Sequence, residues 1–169
     1  TDFGDIGRLL RVRYCLWGTI ELLGSRLVVL VELVDTRDGG VVWADRFSGR
    51  LDDVHGMREQ IRAQVLMALE IRIPMHEASL ARLVPVENLD AWSAYHLGLQ
   101  HLYRFNRHDN AAAENLFQRA LALDPNFARA HAGMSFVHFQ SAFMHYTDNI
   151  PGAIVDARRG KRRAANAAR

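Results

Sequence analysis

The chain reads as an α+β protein: a small antiparallel three-stranded meander with helices, followed by an all-α region of helix hairpins. Three observations carry this. Residues 13–47 hold three β-type runs separated by two short Gly-bearing turns, Leu23-Gly24-Ser25-Arg26 and Thr36-Arg37-Asp38-Gly39-Gly40. Residues 54–69 place Val54, Met57, Ile61, Val65 and Leu69 at helical spacing. From residue 91 onward every apolar pattern has the helical period.

The elements follow in order. Residues 5–11 close a short helix. In residues 13–23, Tyr14, Leu16, Ile20 and Leu22 share one strand face, while Cys15, Trp17, Thr19 and Glu21 share the other. Residues 27–35 are rich in Val and Leu on both faces, as in a central strand. Val41, Trp43 and Phe47 alternate along a third strand. Asp52 or Asp53 is the expected N-cap of the helix that covers one side of the sheet, and Pro74 is expected to end it. Residues 75–90 then form a hinge with a short helix around 76–83. Asp90 caps a helix over 91–103, and Asp109 or Asn110 caps the next, over 110–123. A third helix runs from Phe127 to Phe143 and a fourth from Gly152 onward. The expected division is therefore 1–74, a linker over 75–90, and 91–169.

The 169 residues are 49% hydrophobic, enough for a packed core, and the formal net charge is +2. Residues 157–169 hold six Lys or Arg and no acid, leaving 15 bases against 19 acids elsewhere. The basic excess is local, not a nucleic-acid footprint spread over a face. The first residues, Thr1-Asp2-Phe3, include no initiator Met or apolar leader, and the last stop inside a helical pattern. The expectation is a piece of a longer protein, cut at both ends. A lone Cys15 excludes an internal disulfide.

Candidate chemistry is sparse. His131, His138 and His145 recur every seven residues, but seven residues span about 10 Å of helix, too far for ligands that must each lie about 2 Å from one zinc ion. Asp35 and Asp38 border the Gly39-Gly40 turn, where Asp and Gly serve the backbone, and Asp52 and Asp53 start a helix. No phosphate-binding glycine loop or nucleophile elbow occurs. Cys15 lies mid-strand as a small core residue. The reading assigns no catalytic, cofactor-binding or metal-binding residue. The run Arg158-Arg159-Gly160-Lys161-Arg162-Arg163 is a solvated helix face suited to a helix C-terminus, with no interleaved aromatic for base stacking; nucleic-acid or anionic-lipid binding by it is the alternative.

Two resemblances add to this. Ala113, Phe117, Ala120 and Pro125 follow A-x3-F-x2-A-x4-P, preceded by Leu97-Gly98 in L-G-x2-H, and the pattern restarts at Phe127, Ala128, Ala130, Met134, Ser135 and His138. This resembles the tetratricopeptide repeat (TPR). The second copy has Ala164 but Lys161 at the aromatic position, and Arg169 stands where Pro is expected. Val12 to Ile20, Leu33-Val34-Asp35, Gly39-Gly40, Val42 to Phe47 and Leu51 to Val54 resemble the TolB-like α/β domain, which precedes such repeats in bacterial signalling proteins. Glu87 to Trp92 fits the same group. There the upstream part is a class III adenylate or guanylate cyclase or a winged-helix DNA-binding domain; neither is present, and the opening strand and helix of the α/β domain are missing.

The resemblance implies that the first helix of each hairpin lines a concave protein-binding groove. Mapped onto the repeat, that groove comprises Tyr95, Leu99, Leu102 and Tyr103, then Arg129, Ala132, Phe136, Phe139 and Gln140. The alternative is that several of these pack against a neighbouring helix. Aromatics with an Arg are residue types of interface hot spots. A clamp for a C-terminal carboxylate would need several Lys, Asn and Arg, and only Arg129 fits. The implied function is a non-catalytic regulatory module that binds a protein or peptide partner, or a second copy of itself, with no cofactor, direct nucleic-acid binding or membrane contact. It would belong to an adenylate cyclase-like signalling protein in the cytoplasm, or in the periplasm if a membrane segment lies upstream. Alternatives are the sensor arm of a winged-helix transcriptional regulator, a stand-alone scaffold, and a nucleic-acid-binding protein using the basic helix.

Overall fold

The computed structural model describes residues 2–168, which divide into two units at Ile73 and Pro74. Arg169, the residue at the expected Pro position, lies outside them. The fold is α+β.

In the first unit, helix α1 (Phe3–Leu10) is capped by Asp2, whose carboxylate accepts from the Asp5 N–H at 3.0 Å. Three strands follow: β1 (Tyr14–Leu23), β2 (Arg26–Asp35) and β3 (Val41–Arg50). They form an antiparallel sheet in the order β1-β2-β3. The turns behave as their residues demand: Gly24 and Gly39 take left-handed backbone with φ of +63° and +73°, conformations open to Gly at no steric cost. The Asp38 carboxylate accepts from the Gly40 N–H at 2.8 Å. Asp35, almost fully buried, pairs with Arg37, and Asp52 pairs with Arg50. These carboxylates serve turns and ion pairs.

Register explains the core. Val29 and Val31 of β2 stand opposite Phe47 and Asp45 of β3 and share a face with Leu27 and Trp43. Helix α2 (Val54–Met67) packs Met57, Ile61 and Val65 on this face, against Val31 and Phe47. Val54 and Leu69, expected on the same stripe, are exposed. On β1 the same sheet face leaves Leu16, Ile20 and Leu22 exposed, while on the opposite face the Trp17 indole N–H donates to Glu32 Oε2 at 2.6 Å and the ring meets Phe3 edge-on.

Three boundary expectations are corrected. Neither Asp52 nor Asp53 caps α2 through its side chain: Asp53 precedes the helix but makes no capping bond. Pro74 does not end the helical path. A π-turn over Ala68–Arg72 leads into helix α3 (Ile73–Ala81). Pro lacks the N–H that continues an α ladder and clashes with the carbonyl four residues back; a wider turn directly upstream is where such a residue is accommodated. Consequently residues 75–81 are not linker: Glu77, Ala78 and Ala81 are buried. Only 82–90 remains as turns and a short 3-10 segment.

The second unit holds α4 (Ala91–Leu102), α5 (Arg107–Leu123), α6 (Ala128–Phe143) and α7 (Ile150–Ala167). α4 pairs with α5 and α6 with α7, and α5 packs on α6. Asp90 caps α4 as expected, accepting from the Ser93 N–H at 2.6 Å. α5 starts earlier than expected and its cap is Asn106, not Asp109 or Asn110: Asn106 Oδ1 accepts from the Asp109 N–H at 2.9 Å. Asn149 caps α7. The Arg119 guanidinium fastens the segment before α4 by donating to the carbonyls of Glu87 and Leu89, at 2.6 and 3.5 Å.

The core is built from small residues around one large ring. Phe117 has no exposed surface and sits among Ala94, Leu97, Ala113, Ala120, Ala130 and Val137. A Cβ added at Gly98 of α4 or at Gly133 of α6 would stand 2.8 Å from the Phe117 ring. The ring therefore wedges between two helices that approach it through glycine. α7 docks through small residues in place of an aromatic: Ser135 Oγ donates to the Ala157 carbonyl at 2.6 Å, and Gly160 abuts the Ser135 backbone. No helix is long and apolar enough to cross a membrane among the described residues.

Candidate protein-interaction site

α4 and α6 divide the proposed groove residues into two sets. Tyr95, Leu102 and Gln140 are buried, at 9%, 2% and 2% exposure; they belong to the interior, and Leu99 is half-buried. Tyr95 packs its ring 5.0 Å from Phe127 and 5.9 Å from Phe117, and burial pushes its hydroxyl pKa up, against the opposing charge of Arg129. The Gln140 side-chain amide donates to the Leu102 carbonyl at 3.4 Å, tying the C-terminal part of α6 to the end of α4. The reason is geometric: in a tight helix pair, one side of each first helix is spent on its neighbour.

The exposed set is coherent. Arg129, Ala132, Phe136 and Phe139 all face solvent, and Phe143 extends the series. Their spacing of three and four residues places them on one stripe of α6. Phe136 and Phe139 have ring centroids 5.8 Å apart, and Phe139 stacks on Phe143 at 5.7 Å with an interplanar angle of 13°. Phe139 is 51% and Phe143 69% exposed. Tyr103, 65% exposed, stands at the C-terminal end of α4, where Phe105 is also exposed. Large apolar side chains rarely gather on a surface that binds nothing.

Sequence reading missed Phe105 and Phe143. Phe143 was legible, being four residues beyond Phe139. Phe105 was not: it takes left-handed backbone with φ of +51°, uncommon for an aromatic residue. Its carbonyl accepts from the Tyr146 hydroxyl at 2.9 Å, and the nearby Arg107 guanidinium donates to the His145 carbonyl at 3.1 Å. The loops after α4 and α6 thus hold each other.

The α4–α5 turn has a polar lock. The Asp109 carboxylate accepts from Asn106 Nδ2 at 2.6 Å and Arg104 Nη1 at 2.9 Å, and lies 2.6 Å from His101 Nδ1. The Asn106 bond chiefly, then His101 and Arg104, hold this carboxyl well below the usual carboxylate range, against an opposing effect of burial. The sign follows. In the unfolded chain the group titrates near 3.8; in the folded chain it stays ionised below that. Its stabilisation is complete above the unfolded value and is lost as pH falls through that value toward the folded one. Denaturant midpoints of the chain should therefore drop more steeply below about pH 4 than those of Asp109→Asn, whose profile in that range should be flatter. Parallel profiles would show that the lock contributes nothing.

The remaining candidates are accounted for. His131 reaches the Pro125 carbonyl at 2.9 Å. His131 and His138 line a groove of about 500 Å³ with Glu114, Asp156, Arg159 and Arg163. No group of three or more His, Cys, Asp or Glu is placed to hold a metal ion among the described residues. Arg158, Lys161, Arg162 and Arg163 are exposed on α7, and Arg159 pairs with Asp156 at 3.3 Å.

No protein-family model matches the chain. It is similar to a curated protein of Rhizobium meliloti (strain 1021) named "Putative adenylate cyclase 3", with 23% identity over 156 residues. The matched region is 92% of this chain and 27% of that protein, so the chain spans about a quarter of the relative's length.

Proposed function

We propose that this chain is a non-catalytic regulatory module that recognises a protein partner through the exposed aromatic stripe of α6 and Tyr103 at the end of α4, in a signalling protein of the adenylate cyclase type. The exposed aromatic series Phe136, Phe139 and Phe143, together with the exposed Tyr103 at the end of α4, carries the reading. These three rings in mutual contact are 39–69% exposed, so each forgoes roughly half of the 1.5–3 kcal/mol that full burial supplies, and a partner that covered them would recover it. The TPR resemblance supports the same face. The TolB-like resemblance and the similarity to the cyclase-named protein support the signalling context. In such an assembly the module would set the activity or pairing of a catalytic domain elsewhere in the protein.

The test is quantitative capture of partner proteins by wild-type chain and by Tyr103→Ala and Phe136→Ala. Each substitution should reduce capture of the same protein about tenfold, the loss of one hot-spot contact. Melting temperatures should stay within about 3 °C of wild type, as for ordinary surface changes. Early melting of both variants would make these residues core and end the groove reading.

A further inference from the structure

The docking face has a charge character of its own. α4 and α6 together contain no Asp or Glu. The aromatic run is bordered by cations at both ends. Arg129 stands exposed in the first turn of α6, near enough to Tyr95 for its charge to oppose the rise that burial gives the Tyr95 hydroxyl pKa. Arg107, held through its bond to the His145 carbonyl, stands by the C-terminal end. Arg107 and Arg129 have no carboxylate partner among the described residues. Of the two carboxylates at this end, Asp109 is consumed by His101, Arg104 and Asn106, and Asp148, exposed in the loop after α6, pairs with neither Arg107 nor Arg129. From Arg129 to Phe143 the stripe is about 21 Å long, at 1.5 Å per helical residue. That matches about six residues of extended peptide.

Resting on the interaction reading above, we propose that the occupant is a short acidic peptide segment of a partner protein. Its aromatic or aliphatic side chains cover Phe136, Phe139 and Phe143, and its carboxylates meet Arg129 and Arg107. A basic segment would bring like charge to both ends and find no carboxylate on either helix to pair with. A neutral apolar segment would bury the rings but gain nothing from the two guanidinium groups at its margins. Arginine pairs with carboxylates through a planar fork, so charge also fixes the register of the segment on the stripe.

The experiment selects random phage-displayed dodecapeptides on the immobilised chain and measures synthetic copies of the enriched ones by fluorescence anisotropy. The same peptides are measured against Arg129→Glu and Phe139→Ser, both exposed positions whose variants are checked for unchanged melting. Enriched peptides should carry net negative charge with at least one aromatic or large aliphatic residue. They should bind each variant about tenfold more weakly, a hot-spot loss, and weaken between about 0.1 and 1 M salt. Enrichment of neutral or basic peptides that still depend on Phe139 would leave the docking face standing and overturn the acidic preference. Enrichment of peptides indifferent to both substitutions would overturn this proposal and the interaction face with it. A self-associating chain that Phe139→Ser renders monomeric would replace the peptide with a second copy.

Discussion

Phe117→Ala should cost the second unit about 3–5 kcal/mol, the range for deleting a fully buried aromatic side chain. Domains of this size are stable by only about 5–15 kcal/mol, so the variant should be partly unfolded at moderate temperature. The value belongs at the upper end because the site collapses poorly. The ring is fully buried, and the backbones of Gly98 and Gly133 stand on it with no side chain of their own to fill the gap. Neighbouring Ala94, Ala113, Ala120 and Ala130 are equally short. Urea unfolding followed by far-UV circular dichroism measures the loss. A cost below about 1 kcal/mol, typical of surface or well-compensated changes, would mean that the helices do not depend on this ring.

Gly133→Val should also be damaging, for the opposite reason. A Cβ at residue 133 would lie 2.8–2.9 Å from Cζ, Cε1 and Cε2 of Phe117. A ring in an open pocket would swing away. This one has Gly98 against it as well, with the corresponding contact at 2.8 Å. Overpacking typically costs about 1–3 kcal/mol. Replacing Gly by Ala in a helix interior normally gains up to about 1 kcal/mol, so even a small net loss for Gly133→Ala would reveal a larger steric penalty. The decisive comparison is a double-mutant cycle: in a Phe117→Leu background, Gly133→Ala should lose most of its cost, with a coupling of about 0.5–3 kcal/mol. Additive effects would place the two residues out of contact.

The fold was legible because its signals are periodic. Alternation in β1 and β3, double-sided apolarity in β2 and the Met57, Ile61, Val65 series follow from side-chain direction in strands and helices, and the structure places them accordingly, except Val41, which a register shift pairs with Val34 on the face away from Trp43 and Phe47. The spacing of Ala113, Phe117 and Ala120 marked the center of the second core. Pro74 misled because its effect depends on the turn before it, and a π-turn has no sequence mark comparable to a cap. The α5 start was misplaced because Asn106 and Asp109 are both good caps; the reciprocal bonds between them decide it. Within the candidate site, spacing alone could not separate Tyr103 and Phe139 from Leu102 and Gln140, because all four lie on first helices of their hairpins. The contact of Gln140 with the end of α4 separates them, and it joins residues 38 apart.

The π-turn at Ala68–Arg72 also sets a phase. Each residue advances a helix by about 100°, and a turn that holds an extra one shifts every later side chain around the axis. Within the second unit, α3 buries Glu77, Ala78 and Ala81 and exposes Met75 and Ser79. Deleting a single residue between 68 and 72 would return Pro74 to an unbroken α ladder, where its missing N–H and its ring conflict with the preceding turn. Loops in this protein can therefore absorb insertions and deletions that this helical stretch cannot, and the tolerance of the chain to length change should be lowest in the middle of what looks, by composition, like ordinary helix.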